Sequence, residues 1–290
     1  MRFCGPRSVL ECGYSFCNNK FIDMKKPVRK AKPKARAKTI KGPLAWRWHE
    51  RKLKPIQFVQ AVELDDLIDI DRQKEALVQN TLQFVQGKPA NHVLLTGARG
   101  TGKSSIVKAL LTRFAPQGLR LVEVPVHDLL DLPNIVAPLR HKKERFVLYV
   151  DDFSVSSNDS ALTALKTALD GGIEDPPDNV LIYATSNRRH LMPETKKDNQ
   201  EYHWMDDELH PGESTEEKIS LSERFGLWLS FQSFNQDQYL NLVRLHLRKL
   251  GINILDEEGE KLALRWALNR ASRSGRVAHQ FARDWAGKQP

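Results

Sequence analysis

Along residues 71–86 (DRQKEALVQNTLQFVQ), Leu77, Thr81, Phe84 and Val85 recur at the spacing that lines one side of a helix. Gly87 and Pro89 close that segment. Residues 91–96 (NHVLLT) then form a short apolar run of strand type. Lys103–Phe114 returns to helical period, with Ile106, Leu110 and Phe114 four residues apart. The alternation continues with strands over 119–126 (LRLVEVPV), 145–151 (RFVLYVD), 179–185 (NVLIYAT) and 227–231 (LWLSF). Between them lie a helix over 160–169, marked by Leu162, Leu165 and Leu169, and a short helix over 134–140 that Pro138 weakens. Such alternation predicts a parallel sheet flanked by helices.

From residue 235 the pattern becomes wholly helical. Leu240, Val243, Leu247 and Leu250 mark a first helix, Leu264, Ala267, Leu268 and Ala271 a second, and Val277, Phe281 and Trp285 a third. The expected organisation is a basic arm over 1–42, an α/β domain over 43–233 and a small helical domain over 234–290. Trp46 and Trp48, beside the arm, either dock a partner or pack onto the core, and packing is the default for such residues. Residues 190–220 show no clear period, and loops of that length are usually functional or ordered by a partner.

Charge sharpens this division. The chain of 290 residues carries a net charge of +9. Residues 25–41 (KKPVRKAKPKARAKTIK) hold nine Lys or Arg and no acid, whereas residues 42–290 sum to −1. The sequence pI of 9.4 therefore describes the arm and not a basic face of the body. An arm of this composition is expected to be disordered, either as a tether for nucleic acid or as a solubilising tail. It has no interleaved aromatic residue, so base stacking is not indicated. Met24, directly before the arm, is a candidate alternative translation start. No secretory h-region precedes it.

All three cysteines, Cys4, Cys12 and Cys17, lie in the first 17 residues with no zinc-ligand spacing. Mean hydropathy is −0.50, and no apolar run reaches the length of a membrane span. The expectation is a cytoplasmic protein with no membrane partner.

Residues 97–104 read GARGTGKS and fit the phosphate-loop pattern in full. Gly97, Gly100 and Gly102 permit a tight turn whose N–H groups surround an anion, with Ala98, Arg99, Thr101 and Ser105 completing the loop and its exit. The following helix adds its positive end. Lys103 brings a point charge to the β- and γ-phosphates, and Ser104 offers its hydroxyl to Mg²⁺. The run FVLYVDD, residues 146–152, ends a strand in two acids. Asp151 suits the metal, directly or through water, and Asp152 suits the attacking water. Without the phosphate loop this pair would be a solvated strand end. In YATSN, residues 183–187, Asn187 either orients that water and senses the γ-phosphate or is an ordinary turn residue.

In this order the elements resemble an AAA+ ATPase, over about residues 60–287. The stretches IDRQKEALVQNT, GARGTGKSS, YATSNRRHLMPE, EEKISLSERFGLWLSF and SRSGRVAHQFARDWAG are similar to the bacterial AAA+ group labelled domain of unknown function 815. The resemblance implies a P-loop NTPase sheet followed by a small α-helical lid, with ATP and Mg²⁺ as ligands. It also implies that Arg224, in SERFG, is an arginine finger reaching the nucleotide of a neighbouring subunit, hence an ATP-dependent homo-oligomer. Arg276, in SGRVA, falls at the lid position that contacts the γ-phosphate. Leu67, Ile68 and Ile70 fall where adenine is cradled. Against these stand an intradomain salt bridge for Arg224, a surface role for Arg276, and Arg188, Arg189 and Arg273 as rival phosphate contacts.

One departure stands out: AAA+ ATPases commonly place Asp-Glu where this chain has Asp151-Asp152. The shorter carboxylate predicts slow turnover, as in a switch. Two functions follow: an ATP hydrolase that drives conformational change on a client, or a slow ATP-gated loader that binds DNA through its arm. A small-molecule phosphotransferase is disfavoured, because the helices follow the sheet. The cluster His203, Asp206, Asp207, Glu208 and His210 lacks tight ligand spacing and reads as an acidic loop. No serine-nucleophile elbow or Cys–His pair occurs.

Overall fold

The computed structural model describes residues 42–153, 160–170, 177–187, 203–205, 208–210 and 223–288. A seven-stranded sheet runs through it. Strands β1 (Ala45–His49) and β2 (Lys52–Pro55) form a hairpin at one edge. Then come β4 (Leu119–Glu123), β5 (Arg145–Val150), β6 (Val180–Ser186), β3 (Val93–Gly97) and, at the far edge, β9 (Leu227–Phe231). Every pairing is parallel except β1 with β2. A separate hairpin joins β7 (His203–Met205) to β8 (Glu208–His210).

The central strands are apolar on both sides because both sheet faces are covered. Val93 and Leu95 of β3 point into one core with Leu77 and Phe84 of α1 (Asp71–Val85) and Ile106, Leu110 and Phe114 of α2 (Lys103–Phe114). Leu94, between them, points into the other core with Leu148, Ile182 and Leu165, the last from α4 (Ser160–Asp170). That alternation is the two-residue pleat of a strand. Phe84 is 2% exposed, so truncating it to Ala would cost about 3–5 kcal/mol.

The hairpin β1–β2 extends the sheet beyond the strands that periodicity predicted. Trp48 settles onto the second core at 4% exposure, and Trp46 packs against Phe146 with ring centroids 6.1 Å apart. The helix expected over 134–140 is instead α3 (Leu132–Val136): Ala137 is still helical, at φ −50° and ψ −50°, but Pro138 has no N–H to continue the hydrogen-bond ladder.

Three C-terminal helices form the lid: α5 (Gln236–Lys249), α6 (Glu257–Asn269) and α7 (Gly275–Gly287). Each starts on a side-chain cap, from Asn235, Asp256 and Ser274 respectively. The apolar stripe of α6 differs from the sequence expectation. Gly259, Ala263 and Ala267 face inward, whereas Leu268 is 77% exposed. The small residues let α6 approach closely, and Phe281 of α7 fills the space between Trp266 and Trp285.

Candidate functional site

β3, β5 and β6 are parallel neighbours, so their C-terminal ends open on one side of the sheet, where open α/β sheets hold ligands. The phosphate loop leaves β3, the acid pair leaves β5 and Asn187 follows β6. They share a cavity of about 780 Å³, closed on its other side by the lid. That volume falls within the roughly 300–1,000 Å³ of small-molecule sites.

The loop conformation follows from its glycines. Gly97 has φ +124°, and a Cβ there would lie 1.9 Å from the Phe231 carbonyl oxygen of β9. Gly100 has φ +72°, and its Cβ would lie 2.8 Å from the Ser274 Cβ of the lid. Gly102 starts α2 in a left-handed conformation and offers no side-chain cap, so the first amides of α2 keep their N–H groups for an anion. Thr101 closes the loop by donating to the Ala98 carbonyl at 2.8 Å.

Lys103 is 5% exposed. Its Nζ donates to the carbonyls of Gly97 and Ala98, both at 2.7 Å, and to Asn187 Oδ1 at 3.2 Å. Burial lowers its pKa to about 8, with the carboxylates of Asp151 and Asp152 pulling the other way. Asp151 Oδ1 accepts from Ser104 Oγ at 2.9 Å and from Thr185 Oγ1 at 2.6 Å. Burial raises the Asp151 pKa, but hydrogen bonds from its neighbours outweigh this and hold it below the ordinary carboxylate value. Asn187 Nδ2 donates to Asp152 Oδ1. Asp152 itself has φ 54°, a left-handed conformation that costs a non-glycine residue about 1–2 kcal/mol.

These contacts fit a nucleotide with its magnesium. The loop lacks the Cβ atoms that would fill its cradle. The Tyr149 hydroxyl, buried beside Ser104, Asp151 and Thr185, meets no partner in hydrogen-bonding geometry among the described residues and so can serve a metal-bound water. Among the described residues no group of three His, Cys, Asp or Glu could hold a metal by itself. Mg²⁺ needs only one or two protein ligands and completes its shell with phosphates and water, a role that the adjacent Ser104 and Asp151 fit.

Of the residues predicted from sequence, Arg99, Gly100, Thr101, Gly102, Lys103, Ser104, Ser105, Asp151, Asp152, Asn187 and Arg276 line the cavity, as do Leu67, Ile68 and Ile70. Gly97 and Ala98 lie behind it and supply the carbonyls that hold Lys103. Arg224 is not in this cavity. Its Nε donates to both carboxylate oxygens of Asp170, at 2.6 and 2.7 Å. Arg188, Arg189 and the side chains of the 203–210 cluster lie outside the described residues, as do the basic arm and the three cysteines.

Sequence reasoning missed Thr185 and the polar lid residues His246, Lys249 and His279, which also line the cavity. Lys249 pairs with Asp66 at 2.6 Å, and the two histidine rings meet edge to face at 5.1 Å. Burial, with help from His279 and Lys249, lowers the His246 pKa to about 4. Helical spacing places Lys249 and His246 on α5, but only packing of the lid brings them to the cavity. Gly275 N donates to the Gly100 carbonyl at 2.8 Å, a direct backbone link from lid to phosphate loop.

Residues 42–289 match the model of a family described as Protein of unknown function (DUF815). No curated protein matches the chain. Among solved structures the chain is similar to the Thermotoga maritima RuvB Holliday junction branch migration motor, with a TM-score of 0.51 and 18% identity over 78% of this chain and 65% of that one. A single-residue variant of the same RuvB gives a TM-score of 0.52 at 15% identity over the same shares. The chain thus spans 65% of the length of the RuvB structures it matches. The likeness shows the fold, that of an AAA+ P-loop protein with C-terminal helices. Among the described residues no helix is long and apolar enough to cross a membrane.

Proposed function

We propose that this chain, which belongs to the family Protein of unknown function (DUF815), binds ATP with Mg²⁺ between sheet and lid and hydrolyses it at an interface between copies of the chain. The observation that carries this reading is the contact of adjacent loop residues with two strand ends: Lys103 with Asn187, and Ser104 with Asp151. Those are the groups that must meet around a γ-phosphate.

In this reading the triphosphate lies against the loop amides and the start of α2. Lys103 exchanges the carbonyls of Gly97 and Ala98 for phosphate oxygens. Ser104, and Asp151 directly or through water, would hold Mg²⁺, which would supply positive charge against the phosphates. Asn187 orients a water and Asp152 takes its proton. The water oxygen bonds to the γ-phosphorus, the bond to the bridging oxygen breaks, and ADP leaves with that electron pair. Arg276, at the start of α7, reports the phosphate to the lid. Arg224 lies outside its own chain's cavity, paired with Asp170, and in this reading exchanges that carboxylate for the phosphate of a neighbour's nucleotide in an ATP-dependent homo-oligomer. The client stays unnamed. On side-chain length alone, with Asp152 one methylene shorter than the common Glu, turnover below tens per second is expected.

The test is Asp152→Ala in the full chain. ATP affinity should stay within about threefold while turnover falls on the order of 100-fold or more. Equal turnover would remove Asp152 from the chemistry. Arg224→Ala should abolish turnover, and adding subunits that carry Lys103→Ala with Arg224 intact should restore part of it. Failure of such mixing would argue against a shared site.

A second reading, a slow ATP-gated loader, is favoured by the nine Lys and Arg of residues 25–41. Deleting residues 1–41 should then abolish salt-sensitive DNA binding and spare ATP binding. Unchanged DNA affinity would end that idea.

A further inference from the structure

Asp152 stands where a longer acid is usual, in a backbone conformation that few non-glycine residues adopt, with φ 54°. Both features meet at Thr185. This residue is 2% exposed near the end of β6 and binds the acid turn at three points. Its Oγ1 donates to Asp151 Oδ1 at 2.6 Å and accepts from the Asp152 N–H at 2.9 Å. Its carbonyl accepts from the Phe153 N–H at 2.7 Å. The regular β5–β6 pairing ends at Val150 with Ala184. Past that point one threonine carries the connection between strands, gripping the amides on either side of the Asp152 Cα. Asp152 is thereby turned out of the strand, and its carboxylate meets the Asn187 amide.

We propose that Thr185 is a positioning residue whose hydroxyl and carbonyl clamp Asp152 in the left-handed turn, and that this turn, in place of side-chain length, brings the shorter carboxylate to the attacking water. The inference rests on the ATP-hydrolase reading and extends it to a residue to which that reading gives no part in the chemistry. The geometry separates two tasks on one hydroxyl. The donated hydrogen bond fixes which oxygen of Asp151 is occupied: Oδ1 already takes Ser104 and Thr185, so Oδ2 remains for a metal or its water. The accepted hydrogen bond fixes the Asp152 backbone. A methyl in place of the hydroxyl removes both and leaves the volume unchanged, while serine keeps both.

A clamped turn inverts the usual expectation for an Asp-to-Glu change. If side-chain reach limited the rate, Asp152→Glu would speed turnover. If the turn already supplies the reach, the extra methylene overshoots and slows it.

The experiment uses the full chain with Thr185→Val, Thr185→Ser, Asp152→Glu and the Thr185→Val/Asp152→Glu pair. Thr185→Val should lower kcat by about 10- to 100-fold, the scale of a displacement of about 1 Å, with KM and metal-free ATP affinity within about threefold of the parent. Thr185→Ser should recover at least about a third of the parent kcat. Asp152→Glu should turn over more slowly than the parent, yet should raise the rate of the Thr185→Val background, since a free backbone needs the longer side chain. A readout independent of turnover is amide exchange: Thr185→Val should release the Asp152 N–H by about tenfold or more and leave the Phe153 N–H protected. A parent-like kcat in Thr185→Val, a Thr185→Ser variant as slow as Thr185→Val, a faster Asp152→Glu enzyme, or unchanged Asp152 exchange would each overturn the proposal. Failure of the underlying reading shows differently: Lys103→Ala would keep turnover whatever stands at 185.

Discussion

The two walls of the cavity are built on different principles. On the sheet side, the phosphate loop is shaped by backbone: glycines at positive φ, an uncapped helix start, and a lysine folded onto the carbonyls of its own loop. On the lid side, Lys249, His246, His279 and Arg276 are side chains on amphipathic helices, held by caps and apolar packing. In the first wall Gly97 and Gly100 have no room for a side chain. Two polar ties join the second to the first, the Gly275–Gly100 backbone bond and the Lys249–Asp66 ion pair, beside an apolar core that runs from lid to sheet.

Gly97→Ala should break the sheet wall most severely, because the new Cβ would sit 1.9 Å from the Phe231 carbonyl and force β3 from β9. Urea unfolding should show a loss on the order of 4 kcal/mol or more. A stable variant would mean that the loop is less constrained than its contacts imply.

Gly100→Ala strikes where the walls touch. Its φ of +72° and the 2.8 Å approach to Ser274 should displace the lid and weaken ATP binding about 10-fold or more, with a stability cost of about 1–2 kcal/mol. Calorimetric titration and urea unfolding separate the two effects, and unweakened binding would show that lid and loop are uncoupled.

The walls should also differ in pH response. Lys103, at about 8, is protonated below that value and loses its charge as pH rises through it. The ammonium binds phosphate, so ATP affinity should be level from pH 6 to 7.5 and about tenfold weaker at pH 9, with proton uptake on binding there. On the lid wall His246, at about 4, is neutral throughout this range and should add no pH dependence of its own. Weakening between pH 6 and 7 would place the titrating group elsewhere.

Asp66→Ala should have the smallest effect. Its partner Lys249 is 44% exposed and Asp66 itself 30%, so screening limits the loss to below about 0.5 kcal/mol. ATP affinity should change by less than about threefold. A larger drop in affinity would promote this ion pair from tether to latch.

The same division explains what was legible in the sequence. The loop, the acids and the strands that bear them are local patterns, and GARGTGKS and FVLYVDD name their own geometry. The β1–β2 hairpin was missed because its turn places Glu50 and Arg51 at φ 51° and 56°, without the Asn or Gly that usually announces such a turn. The α6 stripe was misjudged because Leu268 is apolar yet exposed, while Gly259, Ala263 and Ala267 do the packing. Thr185 looked like an ordinary strand residue, and its task follows only from the register of β5 on β6. Arg224 was placed by resemblance, and its pairing with Asp170, 54 residues away, is a tertiary fact.

The central claim is that backbone amides and Lys103 hold a triphosphate at the loop of residues 97–104. Isothermal titration of ATP into the parent and the Lys103→Ala variant, with circular dichroism to verify the fold, tests it directly. An affinity loss of about 100-fold or more, near 2.7 kcal/mol, is expected in a folded variant. Equal affinity in the two proteins would contradict it.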